Sequence, residues 1–326
     1  EEAKLGMNTS PDVVAMYRTM LLTRMLDDRL WQLNRQGRAH FAVPVAGHEG
    51  VAGYAFALDH ARDYMLPHYR DLAALVAWGL TPRDIFLSLF AKANDVSSGG
   101  KQMFAHWSIP DLRVLSLSSP QPNHVTHAVG IALASKIRRE NAVVWTGFGE
   151  GSSSKGDIHE SMNFAAIHKL PIVFCCENNK YAISVPQVKQ MAVENVADRA
   201  AGYGMPGVVV NGRDPLEVYG CAKEAIDRAR RGEGPTFIEI KVYRLMPHTS
   251  NDDDRRYRTR EEVESERAND PVALFRARLI KEKSWDETRD TVLQAELRAL
   301  IDEGQAFADA SPAPTVQDAF TNVYAS

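Results

Sequence analysis

Between residues 142 and 242, four short apolar runs alternate with stretches of helical character: Ala142 to Thr146, Pro171 to Cys176, Gly207 to Val210 and Pro235 to Val242. No other feature limits the fold so tightly. Strands that are apolar along their whole length are buried on both faces, and strand–helix alternation gives a parallel sheet covered on both sides. The expected class is α/β, a doubly wound, mostly parallel sheet. Ligands of such sheets sit outside the carboxyl ends of the strands. Within this region helices are expected from Asp157 to His168 and from the Asp214-Pro215 cap to Arg231.

Outside it, residues 11–36 set Val14, Tyr17, Leu21, Met25, Leu26, Leu30 and Leu33 at helical spacing, with Gly37 as the stop. Thr81-Pro82 opens a helix carrying Ile85, Phe86, Leu89 and Phe90, and a further helix is expected around Thr288 to Phe307. Residues 123–139 are rich in small side chains (Ala128, Gly130, Ala132, Ala134), suited to close packing in a core or against a subunit. Eleven of the fifteen positions 252–266 are charged, which by composition reads as a solvated loop. The expected organisation is a helical extension over 1–40, an α/β domain over 41–265 and a second helical extension over 266–326.

Charge and cysteine usage remove several function classes. Lys plus Arg number 38 against 42 Asp plus Glu, a net charge of −4, without the basic balance of a nucleic-acid binder. No apolar run approaches the ~18 residues of a membrane span. The three cysteines, Cys175, Cys176 and Cys221, have no CxxC spacing, and the first two point to opposite faces if they lie on a strand. A disulfide framework or zinc site is not expected, and a reducing cytoplasm fits. The opening Glu-Glu-Ala-Lys has no signal-peptide pattern, which favours a bacterial cytoplasm.

The segment Gly147-Phe148-Gly149-Glu150-Gly151 reads as a tight turn between strand and helix, and invites a dinucleotide interpretation. The third glycine of that fingerprint would fall at Ser152, however, and Glu150 lies where a pyrophosphate would approach. Two like charges ~4 Å apart repel by about 4 kcal/mol at an effective dielectric near 20. A carboxylate in that turn makes sense with a cation between it and the phosphate. Mg²⁺ takes hard oxygen ligands, one or two from protein and the rest from phosphate and water. Asn178-Asn179 follow the next strand, so neighbouring strands would bring an amide oxygen to the same edge. Backbone N–H groups from Gly151 onward and the following helix N-terminus can take the anion.

Gly149-Glu150-Gly151, then 26 residues (152–177), then Asn178-Asn179, resembles the thiamine diphosphate motif, with Glu for the usual Asp. Around it the chain resembles the alpha subunit of the decarboxylating component of 2-oxo acid dehydrogenases, in particular the branched-chain (2-oxoisovalerate) type. The strings that carry this are Gly47-His48-Glu49, Tyr69-Arg70-Asp71, Ser118-Ser119-Pro120, Asn163-Phe164-Ala165-Ala166, Tyr181-Ala182-Ile183-Ser184 and Tyr243-Arg244.

The resemblance implies a thiamine diphosphate-binding fold and Mg²⁺ held by Glu150, the side chain of Asn179 and the carbonyl of Tyr181. Tyr69, Arg70 and His248 match diphosphate-binding positions, Ser119 and Gln121 match aminopyrimidine positions, and Gly149, Gly151 and Ser152 belong to the cofactor turn. His248 also matches the active-site histidine that assists acyl transfer. Phe41 and Tyr69 are candidates for the acyl pocket, with Phe41 equally placed as a core aromatic. Residues 247–257 resemble a mobile active-site loop. The implied partners are a beta subunit in an α2β2 heterotetramer, which supplies the carboxylate for cofactor activation, and a lipoyl-bearing acyltransferase. The implied reaction decarboxylates a 2-oxo acid and reductively acylates the lipoyl group, and this chain alone is expected to be inactive.

Four departures stand out. Gln121 replaces a small or aliphatic residue, and Glu177 replaces an Arg found before Asn-Asn in some branched-chain relatives. Asn123 and His124 stand where relatives that bind a potassium ion beside Ser118 carry Thr-Gln. Thr249 occupies the place of a regulatory phosphoserine in mitochondrial relatives. Pyruvate and acetoin are the alternative substrates. A nicotinamide-dependent dehydrogenase and a non-catalytic structural subunit are the alternatives of other classes.

Overall fold

The computed structural model describes residues 12–117 and 120–321. Its ten helices among these are α1 (Val13–Arg35), α2 (Ala52–Ala57), α3 (Leu72–Trp78), α4 (Pro82–Leu89), α5 (His124–Arg138), α6 (Gly156–Ile167), α7 (Pro215–Arg230), α8 (Arg260–Arg267), α9 (Pro271–Lys281) and α10 (Glu287–Ala310). The strands are β1 (Tyr64–Leu66), β2 (Val144–Gly149), β3 (Ile172–Asn178), β4 (Tyr181–Ala182), β5 (Val185–Pro186), β6 (Gly207–Asn211) and β7 (Thr236–Lys241).

Five strands form one sheet in the order β1-β2-β3-β7-β6, with every pairing parallel. Alternation along β3 divides the interior in two, as a period of two requires. Val173 and Cys175 face the core built with α1, α2, α3 and α7, whereas Ile172, Phe174 and Cys176 face the core built with α5 and α6. The adjacent cysteines thus do point to opposite sides, both fully buried and unbridged.

Local chemistry sets the helix boundaries. Asp12 caps α1, accepting from the amides of Val14 and Ala15, and Gly37 takes a positive φ of 72° just beyond its end. Thr81 and Asp84 form a capping box at α4, with Pro82 in the first turn. α1 is fastened to α10 in the interior, where the Tyr17 hydroxyl donates to Asp290 at 2.6 Å. No helix of the described residues is long and apolar enough to cross a membrane.

Two local expectations need correction. The Gly147–Gly151 stretch is not all turn: β2 runs on through Gly149, because its pairing with β3 extends to Gly149 opposite Glu177, and a 3-10 turn follows over Glu150–Ser154. The charged run is not a plain loop either. Thr259 caps α8 by accepting from the Glu262 amide, and α8 occupies half of the run. Its glutamates are spent on contacts: Glu262 accepts from the hydroxyls of Tyr181 and Tyr243, and Glu266 pairs with Lys180 and Arg213.

Candidate active site

β2 and β3 are hydrogen-bonded neighbours, so the residues following them emerge together at the carboxyl edge of the sheet. Glu150, 1% exposed, receives the Asn179 amide at 3.4 Å and the Gln190 side chain at 3.5 Å. Burial raises its pKa above the ordinary carboxylate value. A carboxylate so enclosed, with only two long contacts, is suited to a cation. The chain bends back just after β3: Asn178 and Asn179 accept from the amides two residues on, at 2.9 and 3.2 Å, and Lys180 takes a φ of 72°. The two asparagines then divide their work. Asn178 donates to Glu239 at 2.6 Å and to Gln187 at 2.9 Å, a structural role, while Asn179 lines the cavity beside Glu150. A glycine at 151 is dictated by close approach, since a Cβ there would lie 2.4 Å from the Cβ of Ala182.

The cavity over this edge has a volume of about 420 Å³. Gly149, Glu150, Gly151, Ser152 and Asn179 form its polar end, and Phe41, Val43, Met103 and Ile183 give it apolar walls. Tyr69, Gln121, Tyr181 and His248 also line it. Ser119 lies outside the described residues.

Arg70 does not line the cavity; it is fully buried behind His248. Its guanidinium donates to the Pro44 carbonyl at 2.5 Å, to the His248 carbonyl at 2.6 Å and to His248 Nδ1 at 2.8 Å. Burial and the adjacent Arg70 charge lower the His248 pKa to about 3, so the ring is neutral, with its proton on Nε2. The loop after His248 is folded down here. Asp252 accepts from the His248 amide at 2.8 Å and from the Tyr257 hydroxyl, and Ser250 and Ala42 exchange hydrogen bonds at 3.0 and 3.1 Å.

A buried polar cluster lies beneath these residues that no spacing in the sequence announces. Glu177, completely buried, holds His48 Nδ1 at 2.9 Å. Asp71 Oδ2 accepts from the His68 amide at 2.7 Å. Burial and the neighbouring Glu177 raise the Asp71 pKa well above its usual value, so Asp71 keeps its proton and donates it to Glu177. His68 packs against Tyr69 with ring centroids 3.9 Å apart and the rings tilted by 42°, and Tyr69 in turn meets the edge of His248 at 6.2 Å. Burial lowers the His68 pKa to about 3. His124 packs as a neutral core histidine, bonded at 2.8 Å to the Gly147 carbonyl, its pKa lowered by burial to about 4. Gln190, His68 and Arg244 are the site neighbours that motif reading missed; for Arg244 the only signal is its place in Tyr243-Arg244.

The donor set decides which groups fit. No cluster of three His, Cys, Asp or Glu side chains among the described residues could hold a metal, which disfavours zinc. The Glu150 carboxylate and the Asn179 amide oxygen are hard donors that suit Mg²⁺ shared with phosphate.

The family profile described as "Dehydrogenase E1 component" matches residues 17–317. The chain is 52% identical over 320 residues to the 2-oxoisovalerate dehydrogenase subunit alpha of Bacillus subtilis, covering 97% of this chain and 96% of that one. It is 36% identical over 310 residues to the 3-methyl-2-oxobutanoate dehydrogenase subunit alpha of Mycobacterium tuberculosis, covering 95% and 82%. To the pyruvate dehydrogenase E1 component subunit alpha of Staphylococcus aureus it is 39% identical over 302 residues, covering 90% and 78%.

Proposed function

The chain belongs to the dehydrogenase E1 component family, and from that premise we propose how its cavity serves the reaction. It is the alpha subunit of a 2-oxo acid dehydrogenase of branched-chain type, as its 52% identity over nearly the whole of both chains supports. The family implies thiamine diphosphate as cofactor. When bound, this cofactor supplies a nucleophilic carbon and an electron sink for decarboxylation.

The chain's own residues would act as follows. Glu150, the Asn179 side-chain oxygen and the Tyr181 carbonyl hold Mg²⁺. Gly149, Gly151 and Ser152 shape the turn under the diphosphate, Tyr69 and His248 bind it, and Arg70 serves from behind by holding His248 in place. Ser119 and Gln121 serve the aminopyrimidine end. His248 presents Nε2–H to the cavity and assists acyl transfer, and Phe41 and Tyr69 bound the acyl pocket. Residues 41–265 form the cofactor domain between helical extensions 1–40 and 266–326. The enzyme works in the cytoplasm as an α2β2 heterotetramer, whose beta subunit completes the site, and it hands its acyl unit to a lipoyl-bearing acyltransferase.

The meeting of Glu150 with the Asn179 amide, at the ends of adjacent parallel strands, carries this reading. The test is complex purified through a tag on this chain, with bound thiamine diphosphate and Mg²⁺ counted per alpha chain and the co-purifying subunits weighed. Near one cofactor per chain, with a second subunit present, is expected. An intact complex that takes up no cofactor when both are added defeats the assignment.

A further inference from the structure

Arg244 is 2% exposed and makes no direct ion pair among the described residues; the carboxylate its charge acts on is Glu150, whose pKa burial raises and Arg244 in part lowers. Its Nη2 donates to the Ile183 carbonyl at 2.7 Å, while the equally buried Nε and Nη1 donate to nothing. Burying a guanidinium with most of its N–H groups unbonded is among the costlier arrangements a fold can keep, even with the Tyr181 ring beside it and Glu150 within reach of its charge. Other arginines, buried or half-buried, have more acceptors. Arg258 pairs with Asp254 at 2.6 Å and donates to the carbonyls of Arg244 and Met246. Arg24 pairs with Glu49 and Asp270, each at 2.6 Å. Arg70 also lacks an ion pair and leaves its Nε unbonded, but it has two carbonyls and His248 as acceptors and the charge of Glu177 nearby.

A strut fastening the Ile183 carbonyl would explain one of Arg244's five N–H groups. It does not explain why the strut is a cation, nor why two further nitrogens point at no acceptor. The position of the guanidinium does. Its carbon lies 6.0 Å from the centre of the Tyr181 ring, and Tyr181, Ile183 and His248 are all cavity wall. The charge therefore stands directly behind the wall of the cofactor cavity. A charge in such a low-dielectric layer acts on an anion in the cavity with little screening from water or salt. The cavity's own anion, Glu150, is taken up by Mg²⁺ in the loaded site, so the diphosphate is the anion left to balance Arg244.

We propose that Arg244 is the buried counter-charge of the cofactor diphosphate, a positioning residue that replaces the cation relatives carry at the place of Glu177. Glu177 is turned inward, onto His48 and Asp71, and adds no positive charge to the diphosphate end. The inference rests on the thiamine diphosphate reading given above.

The test uses the assembled alpha–beta complex with Mg²⁺, stripped of cofactor, and two probes titrated by tryptophan fluorescence: thiamine diphosphate and thiamine, which lacks the phosphates. R244M should bind thiamine diphosphate at least tenfold more weakly than wild type, with thiamine affinity unchanged. R244K, which keeps the charge but not the fork, should fall between. A strut would weaken both probes together or neither. Equal loss for both probes, or R244M binding thiamine diphosphate within twofold of wild type, overturns the proposal. Should R244M fail to assemble, R244K decides by the same comparison: a selective loss of at least threefold is expected, and wild-type binding of both probes overturns it. A wild-type complex that binds neither probe defeats the cofactor reading itself, a result distinct from any variant effect.

Discussion

Nη2 of Arg70 lies 2.8 Å from Nδ1 of His248 and donates to it, which leaves the imidazole proton on Nε2. The same guanidinium holds the His248 carbonyl at 2.6 Å, so one buried side chain fixes both the tautomer and the backbone of the histidine. It also keeps the ring neutral, with a pKa lowered to about 3 by burial and the adjacent charge.

That shift has a signature in acid stability. The unfolded chain takes up a proton at its histidine near pH 6.5, whereas the folded one refuses it down to about pH 3. His248 therefore costs stability progressively as pH falls through this window. His248→Gln, which cannot charge, should show a shallower loss between these limits, by about one proton, or ~1.4 kcal/mol per pH unit. Denaturant titrations of both proteins from pH 7 to 4 measure the two slopes, and parallel slopes would refute the assigned neutrality.

The Asp71 carboxyl gives the opposite sign. Its pKa is raised, so the folded protein keeps a proton that the unfolded chain releases above about pH 4, and stability falls as pH rises from there. Asp71→Asn keeps an oxygen for the His68 amide and a donor for Glu177 without this penalty. It should be at least as stable as wild type at pH 7, with a margin that grows with pH. Asp71→Ala takes the acceptor from the His68 amide and one donor from Glu177, which keeps only His48, and should lose about 1–3 kcal/mol, the usual cost of leaving buried polar groups unsatisfied. Chemical denaturation of the three proteins at pH 5 and pH 8 tests the order.

Glu150→Ala should reduce Mg²⁺-dependent cofactor binding by more than ~100-fold, since losing even a group behind a metal ligand costs 10–100-fold. Its neighbours do not rely on it for packing, because its contacts are long, at 3.4 and 3.5 Å. Assembly with the beta subunit should survive. Calorimetric titration with thiamine diphosphate, beside sizing of the complex, separates the two effects. Lost assembly would instead give Glu150 a structural role.

The sheet was legible because strands buried on both faces must be apolar throughout, so β2, β3 and β7 stand out as short hydrophobic runs. β6 reads the same way from its valines although, as the edge strand, it is exposed at four of its five residues. β1 was not, being three residues long and set between Asp63 and Pro67. α2 and α3 escaped because six or seven residues are too few for periodicity. Within the site, Glu150 and Asn179 could be read from a fixed gap between two strand ends. His48, His68, Glu177 and Arg244 could not be assembled by any local pattern. They come from four segments spread across nearly two hundred residues, and only the fold makes them neighbours.

The contact at Gly151 allows a test of backbone geometry with a built-in rescue. A Cβ at this position would lie 2.4 Å from the Cβ of Ala182, far inside any normal contact, and the next approach is the Ala182 Cα at 3.2 Å. Gly151→Ala must push apart the 3-10 turn after β2 and the β4–β5 ribbon, at a cost of about 1–3 kcal/mol typical of overpacking. Because Glu150 sits on the displaced turn, cofactor affinity should fall as well. Removing the opposing methyl with Ala182→Gly relieves the shorter contact, so the double variant should recover both stability and affinity well beyond the sum of the single changes. A double-mutant cycle read by thermal unfolding and by thiamine diphosphate titration measures that coupling. Strict additivity in both readouts would show that the turn and the ribbon do not bear on each other, and that glycine is required at position 151 for some other reason.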